Sequence, residues 1–162
     1  MISYFLSIGS NLDDRCENLN KAIQYLAEEG CSILKASSIY ETQPTDYIHQ
    51  PWFLNQVIKI STVFDGRALL STVKKIEKKI GREDTIPKGP RMIDIDILLN
   101  EMNIIKTEEL IIPHPMLEKR NFVLIPLTEI APDLVHPVLG KKIKELLLSS
   151  NDLSSVISFG PK

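Results

Sequence analysis

The sequence predicts an α+β domain in which helices pack against a mainly antiparallel sheet. Strand-like and helix-like segments follow one another in the order β-α-β-β-α-β, and the long helices come after the first and third strands. The 162 residues contain no internal repeat, no low-complexity stretch and no linker, so we expect one domain over residues 1–162. This order of elements is that of the ferredoxin-like, or split βαβ, arrangement.

The first half of the chain supplies a strand, a helix and two further strands. Residues 2–8 alternate between apolar and other side chains, which predicts a strand. Asp14, with a glutamate three residues later, is typical of a helix N-cap, and Gly30 suits the end of that helix. Residues 31–40 and 53–64 are rich in β-forming side chains and predict the second and third strands.

The second half supplies the other helix and the fourth strand. Asp65 is a suitable N-cap, and Gly81 follows an apolar stripe with helical spacing formed by Leu69, Leu70, Val73, Ile76 and Ile80. Residues 93–99 form a strongly β-branched strand, and we expect residues 102–105 to pair with it. The C-terminal part mixes turns with a helix over residues 143–148.

Composition excludes several classes of protein. The net charge of −2 argues against a nucleic-acid binder, and the apolar runs are too short to span a membrane. The N-terminus lacks the pattern of a signal peptide. Cys16 and Cys31 have no metal-type spacing and form no disulfide framework. We therefore expect a cytoplasmic protein, monomeric, with neither nucleic acid nor membrane as its partner.

Two carboxylates on one strand give the clearest indication of chemistry. Because side chains alternate along a strand, Asp94 and Asp96 project together, opposite the neighbouring isoleucines. Two such acids repel each other unless a cation joins them, and Mg²⁺ typically uses one or two carboxylates plus substrate phosphates. Arg91, just upstream, suits a polyphosphate. The alternative is a solvated edge strand with two exposed acids.

Two other clusters could bind the substrates of such a centre. His114, Lys119 and Arg120 can donate hydrogen bonds to phosphate, although a histidine between prolines is often only a turn residue. Phe53 and Asn55 share a strand face and suit a flat heterocycle. The phenyl ring of Phe53 would stack on the heterocycle, and the Asn55 amide would form hydrogen bonds with its edge. The alternative for Phe53 is a place in the core. The chain has no P-loop motif.

Together these residues resemble a known family. The shared motifs occur in the same order and spacing along nearly the whole chain: Ser7-Ile8-Gly9-Ser10-Asn11-Leu12, Ser38-Ile39-Tyr40-Glu41-Thr42-Gln43-Pro44, Phe53-Leu54-Asn55, Ile76-Glu77, Gly81-Arg82, Gly89-Pro90-Arg91-x-x-Asp94-x-Asp96, Pro113-His114-Pro115, Arg120-x-Phe122 and Glu129-Ile130-Ala131-Pro132. On these motifs the chain resembles the 6-hydroxymethyl-7,8-dihydropterin pyrophosphokinases of folate biosynthesis.

The resemblance implies a three-layer α-β-α ferredoxin-like fold, with helices on both faces of the sheet, and transfer of pyrophosphate from ATP to the pterin with release of AMP. It implies that Asp94 and Asp96 hold two Mg²⁺ ions, and that Arg82 and Arg91 act from a catalytic loop. The remaining implied roles are ring binding by Phe53, Phe122, Asn55, Thr42 and Pro44, and ATP binding by Lys74, Glu77, His114 and Arg120.

The loop over residues 82–91 departs from the family pattern. Pro87 and Lys88 stand where many members have a basic and an aromatic residue, Asp84 replaces an arginine of some members, and Pro115, outside the loop, replaces a tyrosine. We expect this loop to be a lid. Two rivals from other classes remain: a non-catalytic ferredoxin-like sensor of a small metabolite, and a metal-dependent nuclease.

Overall fold

A computed structural model describes residues 1–83 and 86–160 of the chain. The elements, in chain order, are β1 (Ile2–Ser10), α1 (Arg15–Glu28), β2 (Ser32–Ala36), β3 (Tyr40–Thr42), β4 (Phe53–Thr62), α2 (Gly66–Ile80), β5 (Asp94–Asn100), β6 (Ile105–Lys106), β7 (Ile111–Ile112), α3 (Asn121–Ile130), α4 (Ile143–Leu148) and β8 (Val156–Ser158), with a short 3₁₀ turn at Leu117–Lys119. None of the helices described combines the length and the apolar character that crossing a bilayer requires.

The main sheet is antiparallel, as the sequence predicts. Its strands lie in the order β5-β1-β4-β3-β8, and β2 pairs with β4 beside β3. The registers bring the end of β1 between the starts of β4 and β5, because Gly9 is paired with Asn55 on one side and with Asp94 on the other. Residues that are far apart in the sequence therefore meet at one end of the sheet.

Helices cover both faces of this sheet and complete three layers. One face packs against α1 and α2, through a core that includes Leu6, Leu26 and Val73. The other face packs against α3 and α4, through a core that includes Phe5 and Leu124. The three-layer α-β-α arrangement expected from the resemblance is confirmed.

The helix ends follow the predicted signals. The Asp14 side chain accepts a hydrogen bond from the Glu17 backbone N–H at 3.0 Å, and the Asp65 side chain caps α2 in the same way. Gly30 has φ +97° and Gly81 has φ +113°, the left-handed conformation in which glycine meets no steric penalty. Both predicted helices therefore begin and end where the sequence indicates.

The second predicted strand is interrupted, which corrects the expectation of one strand over residues 31–40. Ser37 still pairs with β4, since its N–H donates to the Val57 carbonyl at 2.8 Å and its hydroxyl accepts from the Val57 N–H at 3.0 Å. The N–H of Ser38 turns away and donates to the Glu129 carboxylate of α3 at 2.8 Å. This bond to another layer separates β2 from β3.

The pairing expected for residues 102–105 is wrong. The Asn100 side chain accepts hydrogen bonds from the backbone N–H groups of Met102 and Asn103, which turns the chain away from β5. Ile105 pairs instead with Ile112, so that β6 and β7 form a separate two-stranded sheet. The helix at 143–148 is confirmed, whereas α3 and β8 were not predicted as elements.

Candidate active site

A cavity opens at the end of the sheet where β1, β4 and β5 meet. Its volume is about 280 Å³, close to the lower end of the range of small-molecule sites. Five cationic side chains and three carboxylates line it, together with aromatic and polar groups: Lys74, Arg82, Lys88, Arg91, Arg120, Asp46, Asp94, Asp96, Gly9, Thr42, Gln43, Pro44, Thr45, Gln50, Phe53, Asn55, His114 and Phe122. Twelve of the thirteen residues to which the family resemblance gives a role are among them, and Glu77 lies outside the lining.

The two carboxylates of β5 face this cavity together. Ile93, Ile95 and Ile97 point to the opposite side, where they belong to the core beneath α1 and α2. The strand is indeed an edge strand, but Asp94 and Asp96 line the cavity rather than an open face. The alternation predicted from the sequence is therefore confirmed.

The two carboxylates have different electrostatic surroundings. Asp94 is within 2.9 Å of the Arg82 Nη1 atom and 3.5 Å of the Arg91 Nη1 atom. Asp96 lacks an ion pair of this kind among the described residues, and burial, followed by the charge of Asp94, raises its pKa to about 7 although Arg120 acts in the other direction. The site therefore favours a cation that can join the second carboxylate.

Glu77 holds Arg82 from below the cavity. Its side chain is only 2% exposed and accepts hydrogen bonds from Arg82 Nη1 at 2.6 Å and from the Ile95 backbone N–H at 2.9 Å. Burial alone would lower the pKa of Arg82, but the charges of Glu77 and Asp94 raise it above its ordinary value. The guanidinium thus stays charged and directed at Asp94, while Lys74 lies 3.4 Å from Glu77 at the cavity wall.

An aromatic and amide wall borders the charged groups, and the Arg91 guanidinium lies 5.1 Å from the centre of the Phe53 ring. Phe53 is partly exposed on this wall, whereas its neighbour Leu54 is buried, so Phe53 is not a core residue. Asn55 is buried, and its Nδ2 donates to the Thr42 Oγ1 at 2.6 Å. A Cβ at Gly9 would collide with the Asn55 Oδ1, so glycine there permits this orientation of the amide.

The third side of the cavity is formed by His114 and the start of α3. His114 Nδ1 accepts a hydrogen bond from the Met116 backbone N–H at 3.1 Å, which leaves the proton of the neutral ring on Nε2. Burial, and then the charge of Arg120, lowers the pKa of His114. Arg120 lies over the ring of Phe122 at 5.6 Å. Lys119, the other cation of this cluster, does not line the cavity.

This geometry can be compared with that of known proteins. A family model described as 7,8-dihydro-6-hydroxymethylpterin-pyrophosphokinase (HPPK) matches residues 5–132. The chain belongs to the HPPK family. The resemblance found in the sequence is therefore confirmed.

Several HPPK relatives are similar over most of this chain. A 2-amino-4-hydroxy-6-hydroxymethyldihydropteridine pyrophosphokinase of Aquifex aeolicus is 44% identical over 145 residues, which are 90% of each chain. The folic acid synthesis protein fol1 of Pneumocystis carinii is 41% identical over 157 residues, which are 96% of this chain but 21% of that protein. The HPPK domain thus occurs both in a protein of similar length and within a much longer one.

A solved structure agrees with the fold. Wild-type Plasmodium falciparum HPPK-DHPS superposes with a TM-score of 0.69 at 19% identity, covering 91% of this chain and 44% of that chain. At this identity the likeness concerns the fold alone. The ferredoxin-like prediction is confirmed.

One residue of the HPPK motifs has a role in the site that the sequence did not predict. Asn11 is buried, and its Oδ1 accepts from the Arg91 backbone N–H at 2.8 Å, while its Nδ2 donates to Gln50 Oε1 and to the Pro51 carbonyl, each at 2.9 Å. It therefore joins the end of β1 to both loops around the cavity. An asparagine in the shared Gly9-Ser10-Asn11 motif, directly after a predicted strand, was the available signal.

One residue at which this chain differs from many HPPK sequences, Lys88, lines the cavity. Lys88 has φ +58°, and its Nζ lies 3.5 Å from Asp46 on the facing loop. The Lys88 carbonyl accepts a hydrogen bond from Gln50 Nε2 at 2.9 Å. Pro87 lines a smaller adjacent hollow and Pro115 is exposed, while Asp84 lies outside the described residues.

The oxygen donors of the cavity suit a metal ion that takes some of its ligands from the protein and the others from a substrate. Within residues 1–83 and 86–160, no three His, Cys, Asp or Glu side chains cluster as a self-sufficient metal site. Asp94 and Asp96 supply hard oxygen donors beside several cations, and Mg²⁺ completes its shell with water and phosphate oxygens. The residues present therefore fit Mg²⁺ bound together with a nucleotide.

Proposed function

We propose that this chain transfers the pyrophosphoryl group of ATP to the hydroxymethyl oxygen of 6-hydroxymethyl-7,8-dihydropterin and releases AMP. Membership of the HPPK family supports this activity. The observation that carries it is that one cavity is lined both by an aromatic and amide wall and by an adjoining wall of carboxylates and cations. A flat heterocycle and a polyphosphate would lie side by side there.

The pterin is proposed to bind at the aromatic wall. Phe53 and Phe122 would hold the two faces of the ring, since offset stacking on aromatic side chains suits a flat heterocycle. Asn55 and Thr42, with backbone groups near Pro44, would bond the polar edge of the ring. The Asn55–Thr42 hydrogen bond fixes the amide before the substrate arrives, which reduces the entropic cost of binding.

ATP is proposed to bind at the charged wall. Lys74, His114 and Arg120 would hold the triphosphate, and the Nε2–H of a neutral His114 can donate to a phosphate oxygen. Glu77 supports ATP binding indirectly in this proposal, because its carboxylate is occupied by Arg82 and by the Ile95 N–H. We thus propose a positioning role for Glu77 rather than a contact with the nucleotide.

Asp94 and Asp96 are proposed to hold two Mg²⁺ ions with the phosphates. Mg²⁺ held there would supply charge neutralisation at the phosphate oxygens, both where the hydroxymethyl oxygen attacks and where AMP leaves. The side chains of Arg82 and Arg91 would stabilise the charge that develops as the bond between the β-phosphorus and the AMP oxygen breaks. The hydroxymethyl proton leaves to solvent, and no side chain is assigned as a general base.

One assay tests the proposal. The protein is mixed with ATP, MgCl₂ and the hydroxymethyl dihydropterin, and nucleotides are separated by chromatography. AMP with pterin pyrophosphate is the expected result, ADP would indicate a simple kinase, and no turnover would indicate a metabolite sensor. Degradation of a polynucleotide without AMP formation would favour the nuclease instead. A single domain, a monomeric state and a cytoplasmic location remain predictions.

A further inference from the structure

The C-terminal segment, residues 152–159, contacts the chain at three places beside the proposed pterin site. It lies beyond residues 5–132, which the HPPK family model matches. None of its residues lines the cavity. Its contacts nevertheless fall on Asn121, Gln43 and, through another side chain, Trp52. Each of these is the immediate neighbour of a residue proposed to touch the pterin.

The first contact fixes the start of α3. Asp152 Oδ2 accepts a hydrogen bond from the Asn121 backbone N–H at 2.8 Å, and the Asn121 Nδ2 donates to the Asp152 carbonyl at 3.1 Å. Asp152 Oδ1 accepts from the Ser154 N–H at 2.9 Å. Arg120, at the N-cap position, makes no side-chain capping bond, so Asp152 supplies the acceptor for this helix start. The next residue is Phe122.

The second contact fixes the end of β3. The Gln43 N–H donates to the Ser155 carbonyl at 3.0 Å, and the Ser155 N–H donates to the Gln43 Oε1 at 3.1 Å. The pairing of β8 with β3 continues this contact, with Val156 opposite Thr42. Gln43 is thereby held between Thr42 and Pro44, at the point where the chain leaves the sheet.

The third contact reaches the start of β4 through an arginine. The Phe159 ring lies 5.6 Å from the Arg15 guanidinium, and the Phe159 N–H donates to the Ile39 carbonyl at 3.0 Å. Arg15 Nη1 donates to the Trp52 carbonyl at 3.0 Å and to Glu41 at 2.7 Å. Phe159 therefore packs on the side chain that holds the residue before Phe53.

We propose that the C-terminal segment positions Phe53 and Phe122, the two aromatic side chains of the pterin site, and that Asp152 is the positioning residue for Phe122. The inference rests on the proposed function, because that function identifies the ring site. Aromatic side chains that are held in place before binding lose less conformational entropy when the ring binds. The C-terminal segment should therefore increase the affinity for the pterin. Asn121 also follows Arg120, the one ATP-side residue next to any of the three contacts, so ATP binding should change less than pterin binding.

The test compares two Asp→Asn variants in the full chain. Asp152→Asn leaves one acceptor oxygen for two N–H donors, whereas Asp133→Asn, the matched control, removes only exposed ion pairs with Lys142 and Lys144. We expect the pterin Kd and KM of Asp152→Asn to rise about tenfold, in line with a lost hydrogen bond to a charged group, and the ATP KM to rise by a clearly smaller factor. Amide exchange at Asn121 should accelerate, and Asp133→Asn should match the wild type.

The outcomes separate the two proposals. A wild type that makes no AMP overturns the proposed function and this inference with it. An active wild type whose Asp152→Asn variant keeps normal pterin affinity, or loses ATP and pterin affinity equally, overturns the positioning role alone. Should Asp152→Asn fail to fold, Phe159→Leu keeps the bulk but removes the aromatic face. That variant should weaken pterin binding about threefold without changing the ATP KM, and equal changes in both would reject the inference.

Discussion

The two carboxylates of the active site should respond to the same substitution with opposite changes in stability. Asp96→Asn removes a charge that the fold disfavours, since burial and Asp94 raise its pKa from 3.8 to about 7. Asp94→Asn removes a charge that the fold uses, because Arg82 and Arg91 lie within 2.9 and 3.5 Å of it. Both variants should lose AMP formation if the two side chains bind Mg²⁺.

The magnitude for Asp96 follows from its pKa. A change of one in a pKa corresponds to about 1.4 kcal/mol, so the full displacement sets an upper limit of about 4 kcal/mol. Asp96 keeps some contact with solvent in the cavity, so we expect about 1.5 kcal/mol, or a Tm roughly 3–6 °C higher at pH 8. For Asp94→Asn, whose arginine partners are partly exposed, we expect a loss of about 1 kcal/mol.

The pH dependence has a definite sign. Because the pKa of Asp96 is higher in the folded protein than in the unfolded chain, the folded state binds the proton more tightly and loses stability as the pH rises from about 4 to about 7. The amount by which the Tm of Asp96→Asn exceeds that of the wild type should therefore be greatest at pH 8 and vanish near pH 4.

Thermal unfolding of the wild type and both variants decides the matter, in EDTA and without nucleotide. A Tm of Asp96→Asn at or below the wild-type value at pH 8, or an advantage that does not change with pH, would refute this account of the site. Circular dichroism before heating checks that each variant starts from the same fold.

Three further predictions concern the two walls. In titration calorimetry, Phe53→Ala and Phe122→Ala should each weaken pterin binding by about 0.5–1.5 kcal/mol for the lost aromatic contact, with a further loss for the apolar area no longer buried. Asn55→Leu should weaken it by more, because polar groups of the ring edge lose their partner. Unchanged affinity in all three variants would place the ring site elsewhere. Arg91→Ala should lower kcat far more than pterin affinity, and a variant that loses only affinity would contradict a role in the transition state. Since the pKa of His114 is lowered, its ring should stay neutral, and His114→Ala should raise the ATP KM by the same factor at every pH from 6.5 to 8, because Asp96 titrates in both proteins. A factor that grows as the pH falls would mean that the charged ring binds phosphate.

Alternation along the strands was enough to predict the main chemical groups. Asp94 and Asp96 share one side of β5, and Phe53 and Asn55 share one side of β4, because a strand repeats every two residues whatever its tertiary partners are. Helix boundaries were equally predictable from local signals, as the capping bond of Asp14 shows. These features depend on short stretches of chain, which the sequence contains in full.

Features that depend on another layer were not predictable in this way. The break after Ser37 arises from a carboxylate on α3, ninety-one residues away along the chain from Ser38. The α3 helix itself has no polar stripe and contains Pro126, so its sequence lacks helical periodicity. The position of Glu77 beneath Arg82 likewise becomes visible only when α2 and β5 are packed together.

Gly9 has a consequence for how this site could change under selection by an inhibitor. Its missing side chain leaves room for the Asn55 amide, which is bonded to Thr42 and proposed to bond the pterin edge. Any larger residue at this position would displace the amide. The affinity for the substrate would then fall, together with the affinity for any inhibitor that bonds the amide in the same way. No substitution of Gly9 could therefore weaken an inhibitor that binds this amide alone without also weakening substrate binding. An inhibitor that also contacts the surrounding loops could lose affinity through substitutions there that leave substrate binding intact.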